Sequence, residues 1–260
     1  MMSKIEAFIL GIIQGITEFL PISSTGHLYL GRHLFGLDEA GLFLDTMLHI
    51  GTLLAVLVVY KNELLEIIKN PFGKLSMLLV IGTIPAVFVG LLFNDLFESI
   101  SKTGVTIGWE FIITGIILWF SDSIKNGAKK MKDISYSDAL FIGSFQAIAI
   151  FPAISRSGLT IAAGLIRKLD RETAAYFSFL LSIPTIAGGI VLQFGEIYAG
   201  HIEAISFGSM LIATLASAIF GYIAVVWMIN FLKRKSLKIF AVYVWILGLT
   251  ILFMQMAGIF

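Results

Sequence analysis

The stretch Gln14-Gly15-Ile16-Thr17-Glu18-Phe19-Leu20-Pro21-Ile22-Ser23-Ser24-Thr25-Gly26-His27 decides how the chain is read. It lies in an apolar run from Ile5 to Leu34, yet it carries an acid, an amide, a proline and a Ser/Thr/Gly cluster. The run is thereby divided into two arms, each short of the ~20 residues that cross a bilayer. A second run, Ser137 to Ile166, is divided in the same way by Pro152 and Ser155-Arg156-Ser157-Gly158. Each is read as a re-entrant hairpin that enters and leaves on one side, because irregular backbone at membrane depth is tolerated only where protein or a wet cavity surrounds it.

The surrounding sequence sets the class. Of 260 residues, 58% are hydrophobic and 13% charged, with a mean hydropathy of +0.94; soluble domains run at about 45–50% and about 25%. Too little polar material remains to cover a water-exposed surface, so the chain reads as a polytopic membrane protein. Six stretches are expected to span: Leu42 to Tyr60, Leu75 to Phe93, Val105 to Phe120, Thr173 to Phe194, Phe207 to Phe231 and Leu237 to Gly258. A net charge of +1 with no basic tract excludes a dedicated nucleic-acid binder. The absence of cysteine excludes disulfides, thiolate metal sites and cysteine nucleophiles. Gln14 and Glu18 interrupt the apolar N-terminus and no small-residue cleavage site follows, so it is expected to stay in the mature protein.

The broken regions repeat one another. Moved by 132 positions, Gly11 to Gly26 falls on Gly143 to Gly158 without a gap, with seven identities in sixteen, among them Gln14/Gln146, Ser23/Ser155 and Gly26/Gly158. Later landmarks also recur: Asp45 and Asp170, then Thr83-Ile84-Pro85 and Ser182-Ile183-Pro184. An internal duplication is expected, repeat one about 1–122 and repeat two about 135–260, within a single membrane domain of residues 1–260. One hairpin and three spans per copy invert the second copy relative to the first. The fold class is therefore all-α: six transmembrane helices plus two re-entrant helix hairpins in an inverted-topology repeat.

Loop charges set the orientation. Fourteen of the eighteen Lys and Arg residues fall on one side, and only Lys4, Arg32 and Lys102 on the other, with Arg156 inside the membrane. Cations concentrate on the cytoplasmic side, so both termini are expected outside, with the two hairpin tips meeting near the midplane.

The chemistry follows from residues that are costly in a membrane. A lone Arg or Asp at a helix centre costs about 2.5–3.5 kcal/mol, so Glu18 and Arg156 are expected to face one another or a shared polar ligand. Gln14 and Glu18, four apart, share a helix face. Ser23-Ser24-Thr25-Gly26 and Ser155-Arg156-Ser157-Gly158 have the composition of helix starts, whose free N–H groups and positive dipole ends attract an anion. Guanidinium suits phosphate or carboxylate, while Glu18 and Gln14 offer oxygens for Mg²⁺ or Ca²⁺. His27 can relay a proton, and Ser24, three residues before it, is a candidate nucleophile. Together these parts suit phosphoryl transfer.

Plainer readings stand beside these. Ser157 and Thr160 could bond only to backbone carbonyls, Gln14 and Gln146 could be interhelical glue, and Glu18 with Arg156 could be a structural ion pair. Asp45 and Asp170 read as N-caps. His33, His49 and His201 are assigned no chemistry, and Lys233-Arg234-Lys235 reads as a topology anchor.

The first motif and Pro152-Ala153-Ile154-Ser155-Arg156-Ser157-Gly158-Leu159-Thr160, with Arg171 to Ser178 and the Ile-Pro helices, resemble the bacterial undecaprenyl-diphosphate phosphatase family of the bacitracin-resistance type over essentially the full chain. The resemblance implies a bacterial inner-membrane enzyme that hydrolyses undecaprenyl diphosphate to the monophosphate and inorganic phosphate, recycling the lipid carrier of cell-wall synthesis. It implies Gln14 and Glu18 at a divalent metal, Ser24 as nucleophile, His27 as catalytic histidine and Arg156 on phosphate. Ser23, Thr25, Ser155, Ser157 and Thr160 would surround the substrate. The implied partners are the polyprenyl diphosphate and membrane lipids, with a homodimer as candidate assembly. Two positions depart from the family pattern: Ala153 stands where glycine is usual, and Gln14 where glutamate often begins the motif. The alternative is an inverted-repeat transporter or flippase for a prenyl phosphate or another anion, an architecture common among carriers.

Overall fold

The computed structural model describes residues 2–37, 42–93, 96–97, 100, 103–124, 127–198 and 205–258; Lys102, Lys125 and His201 lie outside them. Eleven α-helices are found among the described residues: α1 Lys4–Phe19, α2 Ser24–Leu34, α3 Leu42–Val59, α4 Lys61–Lys69, α5 Lys74–Leu92, α6 Ile107–Asp122, α7 Tyr136–Ile148, α8 Arg156–Ile166, α9 Arg171–Tyr198, α10 Phe207–Leu232 and α11 Lys238–Met256. No strand occurs among the described residues beyond one isolated bridge between Lys129 and Leu169.

Polarity is arranged inside out. Ile84, Val87, Phe88, Leu91, Ile246 and Phe253 face outward from α5 and α11, whereas Gln14, Thr46, Thr52, Thr114, Ser178 and Ser217 are fully buried. A water-soluble protein does not expose apolar surface on this scale. The chain is a multi-pass membrane-helical protein.

Among the described residues four helices, α5, α9, α10 and α11, are long and apolar enough to cross a membrane. The stretch beginning at Leu42 bends by 78° where α3 meets α4 and counts as a fifth only if that pair is one span. The stretch from Val105 gives only the 16-residue α6, roughly 24 Å long at 1.5 Å per residue. Gly104, at a φ of +63°, delays its start. Its end is fixed by Asp122, which Arg171 and Ser236 hold.

Each broken region forms two helices divided at its proline and hydroxyl cluster. Ser3 caps α1 in a capping box with Glu6, and Ser135 caps α7 in one with Asp138. After the breaks, Ser23 caps α2 by accepting from the Gly26 N–H, and Ser155 caps α8 by accepting from the Gly158 N–H. Late in α2, Gly31 lies against Leu10 and Ile13 of α1, so the second arm returns along the first. α7 and α8 likewise pack on each other.

Small residues let the hairpins dock. Gly11 and Gly15 of α1 meet the α10 backbone at Ala213, Ser217 and Gly221, while Gly143 of α7 meets Gly82 of α5. A methyl group at 143 would penetrate the Gly82 carbonyl oxygen. Gly143→Ala is therefore expected to destabilise the protein by about 1–3 kcal/mol or more through overpacking, read as a lower melting temperature in detergent. An unchanged melting temperature would show that these helices can separate freely.

Of the two expected caps, Asp170 is one: its carboxylate accepts from the Thr173 N–H at 2.7 Å. Asp45 is not. It lies inside the first turn of α3, where its carboxylate is taken by Arg32 of α2 at 2.8 and 2.7 Å. The Ile-Pro landmarks also fall on unlike helices, Pro85 in the second long helix after its hairpin and Pro184 in the first. Lys233 of the anchor run pairs with Glu172.

Asp138, with a fully buried side chain, ties the first turn of α7 to Lys129 at 3.0 Å and to Arg167 at 2.6 Å. Burial alone would raise its carboxyl pKa, but the Ser135 N–H, the two cations and the Ser135 hydroxyl outweigh it and hold the group far below the usual carboxylate range. A depressed folded-state pKa gives stability that is present above the unfolded value near 4 and is lost as pH falls below it. Asp138→Asn is expected to cost roughly 2–3 kcal/mol at neutral pH, the partly exposed cations discounting the full cost of breaking a buried pair. The gap from the parent should narrow between about pH 5 and pH 2. A gap that stayed constant over that window would remove the ion pairs as its cause.

Candidate active site

The hairpin tips touch. The Ser157 hydroxyl donates to the Leu20 carbonyl at 2.9 Å, and Gly158 lies beside Pro21. Across this contact Arg156 Nη2 lies 2.5 Å from Glu18 Oε1. The other carboxylate oxygen, Oε2, accepts from the Ser24 hydroxyl at 2.6 Å and from Gln14 Nε2 at 3.1 Å. Glu18 thus joins Gln14 and Ser24 of its own hairpin to Arg156 of the other. Two polar atoms are buried here without a hydrogen-bond partner among the described residues: Arg156 Nη1 and Gln14 Oε1.

A cavity of about 420 Å³ opens on this centre, within the range of small-ligand sites. Glu18, Ser23, Ser24 and Thr25 line it from the first hairpin, and Ser155, Arg156 and Ser157 from the second. Both helix starts therefore face the cavity. Their caps take the third N–H of each helix, at Gly26 and Gly158, and the first two N–H groups of α2 and of α8 have no intrahelical acceptor. Two positive helix ends, a guanidinium edge and several hydroxyls are groups with which proteins bind anions.

Ser23 adopts a φ of +71°, unusual for a residue with a side chain and costing on the order of 1–3 kcal/mol. Its hydroxyl is the α2 cap, and its carbonyl accepts from His27 Nδ1 at 2.7 Å. The other nitrogen, Nε2, then accepts from the Tyr243 hydroxyl of α11 at 2.8 Å. His27 is packed edge-on to Phe111 and does not line the cavity. The structure brings Ser24 to Glu18, not to His27. Thr160 stands behind the cavity wall, bonded to the Arg156 and Ser157 carbonyls and to Ser178. Gln146 donates at 3.5 Å to the Gly82 carbonyl, the interhelical role open to it.

Two neighbours of the site, His49 and Glu110, were given no role from the sequence. His49 of α3 lines the cavity with Nε2 3.8 Å from Glu18 Oε2. Glu110, buried in α6, accepts from the Thr106 hydroxyl at 2.5 Å and from the Ala153 N–H. Glu110 thus pins the turn leading to Ser155, whose own N–H donates to Thr114 at 3.3 Å. Ala153 is absent from the positive-φ residues, so this turn does not require the glycine usual there. A charge at 110 within an apolar stretch was the available signal.

Among the described residues no group of three or more His, Cys, Asp or Glu side chains is placed to hold a metal. Glu18 with the unpartnered Gln14 oxygen is a small donor set, suited to an ion that takes its remaining ligands from substrate phosphates, as Mg²⁺ does.

Fold and site together define a polytopic membrane protein with a buried polar centre where its two hairpin tips meet. The profile of the family described as bacitracin resistance protein BacA matches residues 7–250. The chain belongs to that family. It is similar, at 69% identity with both chains fully covered, to undecaprenyl-diphosphatase 3 of Bacillus cereus. Undecaprenyl-diphosphatases of Carboxydothermus hydrogenoformans and Halothermothrix orenii share 46% and 39% identity, again over the whole of both chains.

Proposed function

We propose that this chain is an undecaprenyl-diphosphatase of the bacterial inner membrane, hydrolysing undecaprenyl diphosphate to undecaprenyl phosphate and inorganic phosphate. The observation that carries this is Glu18, which holds the Ser24 hydroxyl on one oxygen and Arg156 of the opposite hairpin on the other, in a chain so similar to undecaprenyl-diphosphatases. A carrier would need an anion site but no hydroxyl set on a carboxylate.

In this reading the diphosphate enters between the helix starts, where Arg156 offers Nη1 and the Ser23, Thr25, Ser155 and Ser157 positions supply hydroxyls and N–H groups. The Ser24 oxygen attacks the terminal phosphorus while its proton passes to Glu18. The bond from phosphorus to the bridging oxygen breaks, and undecaprenyl phosphate leaves with that oxygen. Water then hydrolyses the phosphoserine, releasing inorganic phosphate and restoring Ser24. His27 acts as a positioning residue, holding the Ser23 carbonyl and with it the strained cap. A divalent ion, Mg²⁺ or Ca²⁺, would be held by Glu18 and Gln14 and would neutralise charge on the phosphates.

The proposed topology keeps six spans and two re-entrant hairpins as inverted repeats of residues 1–122 and 135–260, with both termini outside and α6 as a short sixth span. Packing supports it. α1 docks on α10 as α7 docks on α5, α3 docks on α10 as α9 docks on α5, and the pairs α3/α9 and α6/α11 map onto themselves. The capping boxes at Ser3/Glu6 and Ser135/Asp138 are also 132 residues apart.

The experiment is phosphate release from a long-chain prenyl diphosphate by protein purified in detergent, with Mg²⁺, with Ca²⁺ and with chelator. Metal-dependent release is expected. Movement of labelled lipid between leaflets without any release would replace the enzyme by the carrier.

A further inference from the structure

The cavity at the hairpin tips has two kinds of wall. Besides Glu18, Arg156 and the serines, it is lined by Phe97, Ile150, Phe151, Ile186, Ile190 and Leu192. A bare diphosphate would leave that apolar lining uncovered, whereas a molecule with an anionic head and a hydrocarbon chain covers both kinds. Leu192 is also 48% exposed, so along α9 the cavity reaches the lipid-facing surface. Gly189 of α9 belongs to the same lining. Glycine in a membrane helix ordinarily lets another backbone approach, and Gly11, Gly15 and Gly143 do so here, where an added Cβ would come within 3 Å of backbone atoms. At Gly189 that reason is missing. A Cβ there would meet no described atom within 4 Å, and one at Gly90 of α5 would meet only Ile150 at 3.8 Å. Gly189 thus weakens the interior of α9 without a packing contact in return.

The space beside Gly189 continues beyond the cavity. α9 gives Thr185 and Ile186 to the cavity and the preceding Ile183 and Pro184 to a predominantly apolar groove of about 720 Å³. Val87, Phe88 and Leu91 of α5 line that groove, and Gly90 between them faces Ile150 of the cavity. We propose that the isoprenoid chain of the substrate leaves the cavity over Gly189, passes between α9 and α5 beside Gly90, and lies in this groove. Residue 189 then sets whether a long, methyl-branched chain is admitted. The inference rests on the reading of the site as a lipid diphosphatase and assigns the part of that substrate which the polar residues do not hold.

The test uses the full chain in detergent with two substrates, a long-chain prenyl diphosphate and geranyl diphosphate, whose chain is too short to pass far beyond the cavity. In Gly189→Leu, kcat/KM for the long substrate should fall about 10–100-fold, mainly through KM, the size of effect that a few methylenes have in an apolar pocket. The value for geranyl diphosphate should be unchanged. Gly188→Leu is the control: residue 188 is exposed and lines neither cavity nor groove, so it gains the same helix propensity and should leave both substrates unaffected. A prenyl diphosphate carrying a diazirine along its chain should label α9 and α5 near Gly189 and Gly90, and excess unlabelled substrate should remove the label. Equal losses for the two substrates in Gly189→Leu would overturn the proposal by placing residue 189 at the phosphates or in the fold. No loss for either would send the chain out by another route. Parent protein that releases phosphate from neither substrate would remove the diphosphatase reading, and the diazirine then decides the chain path alone: competed label near Gly189 keeps it for a lipid carrier, and label elsewhere overturns it too.

Discussion

Arg156→Lys will lower the turnover of phosphate release by about 10²–10³-fold, the range seen when one preorganised donor to a developing charge is lost. Lysine keeps the positive charge, so a reading in which residue 156 only neutralises Glu18 expects little change. Guanidinium geometry is what the site uses. Nη2 is taken by Glu18 Oε1 at 2.5 Å, and Nη1 is buried beside it without a partner. One group can therefore hold the Glu18 carboxylate on one nitrogen and a phosphate oxygen on the other, a fork that a single ammonium cannot reproduce. The loss should appear mainly in kcat, since the four helix-start N–H groups continue to bind the ground-state diphosphate. Full turnover in Arg156→Lys would reduce the residue to an electrostatic partner of Glu18. A raised KM with unchanged kcat would place its contribution in binding alone.

How much of this was legible beforehand depends on where each partner lies in the chain. The broken arms, the helix starts after Pro21 and Pro152, and the pairing of Glu18 with Arg156 follow from local rules: proline ends an arm, serine caps the next, and a buried acid needs a cation. His49 and Glu110 obey no local rule. Each stands between apolar neighbours in the sequence, and its meaning comes from a contact 31 or 43 positions away that only packing creates. Asp45 was misread for the same reason, because capping is the local explanation and Arg32 the tertiary one. The stretch from Val105 to Phe120 is met by a helix of the same length set two residues further on, between Gly104 and Asp122.

The spacing of Ser24 and His27 shows the limit of face arguments most clearly. Residues three apart on a helix are neighbours, which made the serine and histidine a natural pair. Ser24 is the first residue of α2, however, and its side chain turns back across the break to Glu18, while the His27 ring lies toward Phe111 and Tyr243. The second large effect follows. Ser24→Ala should reduce phosphate release by at least about 10³-fold and abolish any phosphoenzyme trapped by rapid acid quench from labelled substrate. His27→Ala should also be impaired, because the Ser23 carbonyl loses the donor that helps hold a φ of +71°. His27→Asn offers a side-chain N–H near the position of Nδ1 but cannot act as a base near neutral pH. If His27 positions the tip, the asparagine variant recovers a large part of what alanine loses, with an unaltered pH profile. If His27 takes the serine proton, asparagine is as inactive as alanine. A third pattern, in which Ser24→Ala remains fast while Glu18→Gln is inactive, would assign the attack to water on Glu18 and leave the hydroxyl a substrate contact.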